Sequence, residues 1–361
     1  MNPSVFYLMH GERRVAKIHK NGKCKIYYKS FMPYNLVLEE REDFDIQLDN
    51  INNFYYWCAS RVLSLDRKYA KEILNSIGAL QASTDRDRAN IALSYHCVSL
   101  TDIYWVQHKG EKLKYAEINL FENHLSNAFV DVSLRGKQMT IQNSALIAND
   151  ISTVGCFPKA WLRASDGSFL LLKDGGAEYV ENEILASRIC QCFSCNQVCY
   201  KPFTFEGQKV SVSKIITSLQ YGTISRQALE IYCANHDLDS MEYILHLDAY
   251  GYYMMNILDY LIGNHDRHWE NWGLFVDNAK NKPLRLYDLM DFNQAFRAYE
   301  DLEGANSLTD PGKTQREAAE YAVSQIGLNR KNPIEKVWFG DQTEKYEMLQ
   351  KRLSLLEKAE K

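Results

Sequence analysis

The chain has 361 residues, 46% of them hydrophobic and 24% charged, which is ordinary for a soluble globular protein with room for two or three domains. Lysine and arginine number 42 against 46 acidic residues, a net charge of −4, so the overall balance makes no electrostatic case for a nucleic-acid binder. No apolar run spans a membrane, since 252–262 is interrupted by Asn256 and Asp259; 5–9 is too short for a secretory signal; and nine cysteines without a regular framework read as reduced thiols of a cytoplasmic protein.

In chain order, residues 1–50 alternate enough to suggest strands, for example at 23–28, and then carry an acidic run at 39–45. Residues 51–100 are expected to be helical, with Phe54, Trp57, Cys58 and Val62, then Ala70, Ile73 and Leu74, at helical spacing. A mixed stretch rich in Tyr and Trp follows at 101–135, and polar 143–152 suggests a boundary. Beyond it, 159–164 and 168–173 flank Ser165-Asp166-Gly167 as a hairpin would. Residues 178–193 have helical periodicity, and 196–203 and 208–214 read as strands around Glu206-Gly207. From about 225 the pattern is mostly helical, broken at 272–289 by two strand-like runs, 272–276 and 284–289. The expectation is an α+β chain in three parts: an accessory α/β region at 1–145, a small β-rich lobe at 146–217 and a helical lobe at 218–361.

The chemistry concentrates in 261–275, LIGNHDRHWENWGLF. Gly263-Asn264-His265-Asp266 is spelled like a metallophosphoesterase block, but a two-metal hydrolase needs several ligand loops, and neither D-x-H nor G-D-x-x-D precedes it. His265, Asp266 and His268 are too close in sequence to enclose a zinc ion alone. Cys190, Cys192, Cys195 and Cys199 form no paired C-x-x-C blocks and read as buried structural thiols. Asp266 and Asn271, five apart, have the spacing of the acid and the metal-binding amide in a kinase catalytic loop.

That third reading gathers support elsewhere. If 272–276 and 284–289 pair as a hairpin, Asn271 and Asp288 come to one end of the ribbon, with Asp266 in the loop entering it. Both are hard oxygen donors suited to magnesium. Lys173 ends an apolar strand run, as a phosphate-pairing lysine should, and Glu183 on the next helix is placed to hold it. Singly, each residue also reads as a helix cap or a surface charge.

Gly263-Asn264-His265-Asp266-Arg267-His268-x-x-Asn271 followed by Leu286-Tyr287-Asp288 resembles the N-x-D-x-H-x-x-N and Y-D pair of the HipA-like serine/threonine kinases, CtkA-like members included. Gly155-Cys156-Phe157-Pro158-Lys159 resembles the family's phosphate loop, though with a single glycine, 169–173 its ATP-lysine strand, and Asn182-Glu183 its partner helix. The resemblance implies a two-lobed protein-kinase-like fold and a kinase that moves the γ-phosphate of ATP to a protein hydroxyl with magnesium. Asp266 would be the base, and Asn271 and Asp288 the metal ligands. Lys173, held by Glu183, would meet the α/β-phosphates, and Gly155 and Lys159 would cover them. The segment 212–215, with Val212 and Lys214, would be the connector that reads adenine. Ser152, three before Gly155, is the candidate autophosphorylation site, where phosphate would repel those of ATP. The family also implies a toxin–antitoxin role with a separate antitoxin chain as partner and a protein substrate; the charge balance and the lack of a DNA-binding module or a spanning run lead us to expect neither direct nucleic-acid nor membrane binding.

Other readings stay open. Asp291-Phe292-Asn293 imitates D-F-G, which makes Asp291 the rival of Asp288. Asp266-Arg267-His268 also resembles the loop of phosphatidylinositol kinases, so a lipid or small-molecule kinase is one alternative and a nucleotide-binding pseudokinase another. Gly312-Lys313-Thr314 is no Walker loop, because Ser307 stands where its first glycine belongs; Thr314-x-x-Glu317 instead predicts a capping box for a helix at 315–326.

Overall fold

The computed structural model describes residues 5–62, 84–123, 159–164, 167–205, 207–297 and 299–360. It divides into two compact units, one of Met1–Leu171, Thr217–Thr223 and Val276–Lys282, the other of Leu172–Ile216, Ile224–Phe275 and Pro283–Lys361. The boundary expected at 145/146 falls outside the described residues.

The first unit opens with strands β1 (Val5–His10) and β2 (Arg13–His19). Gly11, at φ +54°, lets a two-residue turn set His10 opposite Arg13. With β3 (Cys24–Ile26) and β4 (Tyr104–His108) they form a sheet of order β3-β2-β1-β4. Helix α1 (Phe44–Ala59) starts where Asp43 accepts from the amides of Asp45 and Ile46, a cap within the acidic run. It buries Phe54, Trp57 and Cys58. Helices α2 (Asp85–Ser94) and α3 (Tyr115–Ile118) and a short 3-10 turn at Lys29–Phe31 are the other helical elements described in this unit. Two polar ties hold buried side chains in place. Trp105 Nε1 donates to Gly11 O at 2.7 Å, and Arg61 makes a two-pronged pair with Asp102 at 2.7 and 2.9 Å. Burial of a charge is tolerable there because every prong finds an oxygen.

The hairpin expected around 165–167 forms as β5 (Lys159–Arg163) and β6 (Phe169–Lys173), closed by Ala164 N–H to Ser168 O at 2.8 Å. With β7 (Lys201–Phe205) and β8 (Gln208–Lys214) it gives the sheet order β5-β6-β8-β7. Helix α4 (Ala177–Cys190) lies between β6 and β7 in sequence. The strand expected at 196–203 begins only at 201. The residues before it bridge elsewhere, Phe193 to Arg330 and Gln197 to Leu289.

The second unit is built on α6 (Ser240–Ile262), whose last eleven residues, 252–262, are buried except for half-buried Tyr253. Asp248 breaks the helix at φ −157°, ψ 67°. Its carboxylate accepts from the amides of Gly251 and Leu286, each at 2.9 Å, so the kink is held by its own side chain. Around α6 the core gathers Leu229 of α5 (Arg226–Ala234), Ala319 and Val323 of α7 (Gln315–Ile326) and Leu349, Leu353 and Leu356 of α8 (Thr343–Ala359). The capping box at Thr314 and Glu317 is present. Strands β10 (Gly273–Asp277) and β11 (Lys282–Leu286) form the expected hairpin, joined by an unexpected third strand, β9 (Tyr221–Ser225), in the order β11-β10-β9. Among the described residues no helix is long and apolar enough to cross a membrane.

Candidate active site

Helix α6 ends at Gly263, whose φ of +59° turns the chain out of the helix. A Cβ there would stand 2.5 Å from the Tyr299 ring, so both conformation and space require glycine. The loop that follows is fastened from below. Asp259, still on α6, takes Asn264 Nδ2 and Arg267 Nε and Nη2, all at 2.9 Å. Arg267, 2% exposed, spends Nη1 on the carbonyls of Asn271 at 2.9 Å and Met290 at 2.6 Å. One buried guanidinium therefore ties the two ends of the loop to the residue that precedes Asp291.

Asp266 and Asn271 come together as their spacing predicts. Asn271 Nδ2 donates to the main-chain oxygen of Asp266 at 2.8 Å. The Asp266 carboxylate is 39% exposed, with His268 Nε2 4.0 Å away. Partial burial raises its pKa above the usual value; His268 opposes the shift and Asp291 adds to it.

Lys173 ends β6 and is 5% exposed. Its ammonium meets Glu183 at 2.7 Å, Asp291 at 2.8 Å and the Tyr200 hydroxyl at 3.2 Å. Burial alone would favour the neutral amine, but Asp291 and Glu183 outweigh it and hold the pKa well above normal. Glu183, 1% exposed on α4, also accepts from Ser211 Oγ of β8. The amide of Asp291 reaches the Tyr200 hydroxyl at 3.3 Å, and the Tyr200 ring stands edge-on to buried Phe292.

The structure thus gathers Lys173, Glu183 and Asp291, with Asp266 and Asn271 on the loop that Arg267 anchors. It does not bring Asp288 into that cluster. Asp288 pairs with Arg285 at 2.9 Å, and the carboxylate that meets Lys173 is that of Asp291, at φ +62°. The reason is a turn. The chain continues past β11 as an irregular segment in which Leu289 bonds back to Asn196 and Val198, and only three residues after Asp288 does a carboxylate reach Lys173. Val212 is half-buried and Lys214 exposed on β8. Gly155 and Ser152 lie outside the described residues, and Lys159 opens β5 with its side chain likewise outside. Cys190 and Cys192 are buried as expected, Cys195 is half-buried, and Cys199 is exposed, which corrects its assignment as a buried thiol. Tyr200, Ser211, Asp259 and the stitching role of Arg267 were not anticipated; their contacts span up to 91 residues and have no local signature.

Neither a protein-family model nor a curated protein sequence matches the chain. Solved structures do. The HipA–HipB–operator DNA complex of the Shewanella oneidensis MR-1 toxin–antitoxin system aligns over 98% of this chain and 99% of that one, at 12% identity and a TM-score of 0.52. The proinflammatory kinase CtkA of Helicobacter pylori aligns over 56% of this chain and 92% of its own, at 14% identity and a TM-score of 0.43. At such identities the likeness is one of fold: the chain has the mixed α+β, protein-kinase-like fold of HipA over nearly its whole length.

Proposed function

We propose that the chain is an ATP-dependent phosphotransferase of HipA-like type that phosphorylates a serine or threonine hydroxyl of a protein. The observation that carries this reading is the buried Lys173, ion-paired to both Glu183 and Asp291. A lysine shared by a helix glutamate and an aspartate ahead of a buried Phe is the arrangement phosphoryl transfer uses to hold nucleotide phosphates.

In this reading Lys173 stays protonated and neutralises phosphate charge, while Glu183, Ser211 and Tyr200 fix its position. Asp266 accepts the proton of the acceptor hydroxyl as its oxygen bonds the γ-phosphorus. The bond to the β-phosphate breaks and ADP departs. Asn271 and Asp291 offer the hard oxygens that would hold magnesium, a donor set that fits that ion, and Asp291 replaces Asp288 in the role. When bound, the ion offsets charge on the phosphate oxygens. Arg267 ties the Asn271 carbonyl to that of Met290, the residue before Asp291.

Gly155 and Lys159 are assigned to the phosphate cover, Val212 and Lys214 to the adenine connector, and Ser152 to autophosphorylation. The free thiols among the described cysteines suit a reducing, cytoplasmic setting. Because the Shewanella HipA was solved with HipB, a separate antitoxin chain is the partner to seek. The test is to incubate purified protein with magnesium and γ-labelled ATP beside Asp266→Asn, then follow label by intact mass and peptide mapping. Label on a serine or threonine of the wild type, or of an added protein, and none with the variant, is expected. Transfer only to a lipid or small molecule would replace the protein-kinase reading. ATP bound without turnover would leave a pseudokinase.

A further inference from the structure

The first unit holds a second cluster of ligating side chains, remote in sequence from the catalytic loop. His96 follows α2 at φ +59° and is buried; His108 ends β4; Glu111 sits in the turn just beyond. A donor atom from each lies within 4.8 Å of the other two, the one such three-residue group among the described residues.

Each of the two imidazoles is held by a backbone carbonyl. His96 Nδ1 lies 2.8 Å from the Val106 carbonyl, and His108 Nε2 lies 3.1 Å from the Leu93 carbonyl. A neutral ring has one N–H, so each gives it to a backbone oxygen and keeps its lone pair on the other nitrogen. Such second-sphere bonds orient the imidazoles of metal sites. On His108 the remaining nitrogen, Nδ1, is buried and has no hydrogen-bond partner. A buried lone pair without a donor is costly, and a cation would satisfy it. Glu111 completes the group. Its Oε2 accepts the His108 amide at 2.8 Å, while its side chain remains 27% exposed. The carboxylate is thus pinned on one side and reachable from solvent on the other.

We propose that His96, His108 and Glu111 form a binding site for a borderline divalent transition ion of the zinc class, with water as the fourth ligand. Two imidazoles and one carboxylate suit zinc, whereas magnesium and calcium favour oxygen alone. Donors about 2.0–2.1 Å from zinc stand roughly 3.4 Å apart around a tetrahedron, so the three side chains close by about an ångström or more when the ion enters. Its role is a clamp, tying the turn after α2 to β4 and the turn that follows.

The test uses the full, untagged chain stripped of metal and titrated with cobalt(II), whose visible bands report geometry and whose near-ultraviolet bands report thiolate ligands. One equivalent per chain is expected, with tetrahedral bands, no thiolate charge transfer, displacement by zinc and a Tm raised by zinc. Both His108→Ala and Glu111→Gln are expected to weaken binding at least about tenfold. Gln retains an oxygen for the His108 amide, so the second variant keeps the fold if the first does not. No stoichiometric binding would overturn the proposal. So would thiolate bands with affinity unchanged in both variants, which would move the ion to cysteines.

Discussion

The two ends of the candidate site are built on opposite terms. Around Lys173 the charges are buried and mutually satisfied: an ammonium 5% exposed, two carboxylates and a tyrosine hydroxyl within 3.2 Å. Around Asp266 they are open: a carboxylate 39% exposed, with a half-exposed histidine 4.0 Å away. The first arrangement buys rigidity, since a group with all its partners in place has little reason to move. The second leaves valences free for an incoming hydroxyl. The difference implies that damage to the first end costs stability and turnover together, whereas damage to the second costs turnover alone.

The largest expected effect follows from that contrast. Lys173→Met strands Glu183 and Asp291 in the interior without a cation. Breaking a buried pair in this way costs about 3–5 kcal/mol, read as a lower midpoint in urea unfolding, and nucleotide turnover should vanish with it. Asp266→Asn should leave the unfolding midpoint nearly unchanged and lower kcat by roughly 10²–10⁴-fold, the contribution of a general base. If both variants lose stability equally, the proposed contrast between the two ends is wrong.

Asp291→Asn against Asp288→Asn sharpens the comparison. The first removes the carboxylate on Lys173 and is expected to abolish magnesium-dependent turnover. The second loses a pair with Arg285 whose side chains are 33% and 26% exposed, for about 0–1 kcal/mol and little change in rate. A larger kinetic loss at Asp288 would restore it as the metal ligand.

The smallest effect is one of pH. Burial lifts the Asp266 carboxyl above its usual value, His268 lowers it and Asp291 raises it. A base acts only when ionised, so the rate falls as pH drops through this raised pKa, and the acid limb lies above that of an unperturbed aspartate. Removing His268 takes away the one nearby group that opposes the rise most. His268→Ala should therefore shift the acid limb to higher pH, seen in kcat/KM profiles; a shift to lower pH would contradict the electrostatics.

What the sequence made legible was local. The pairing of β5 with β6, the bounds of β8 and the Thr314 cap follow from turn signals and period, and the convergence of Asp266 and Asn271 from their spacing. Lys173 and Glu183 were legible as a pair because a strand end and the first turns of the next helix are near neighbours. The choice between Asp288 and Asp291 was not. It depends on a contact between residues 118 apart and on a left-handed backbone at Asp291, which no window around the Y-D pair encodes. The D-F-N spelling at 291–293 is the one local signal that points to Asp291. Helix periodicity likewise hid the break at Asp248, because its stabilising partner is the distant amide of Leu286.

The central claim, that this chain transfers the γ-phosphate of ATP through Asp266 and Asp291, is met most directly by measuring magnesium-dependent conversion of ATP to ADP. The measurement needs no knowledge of the acceptor when a peptide library or the protein itself supplies one. Wild type and Asp288→Asn should form ADP, while Asp266→Asn and Asp291→Asn, both folded by circular dichroism, should not. Equal ADP formation by Asp266→Asn, or none by the wild type with every acceptor, would contradict it.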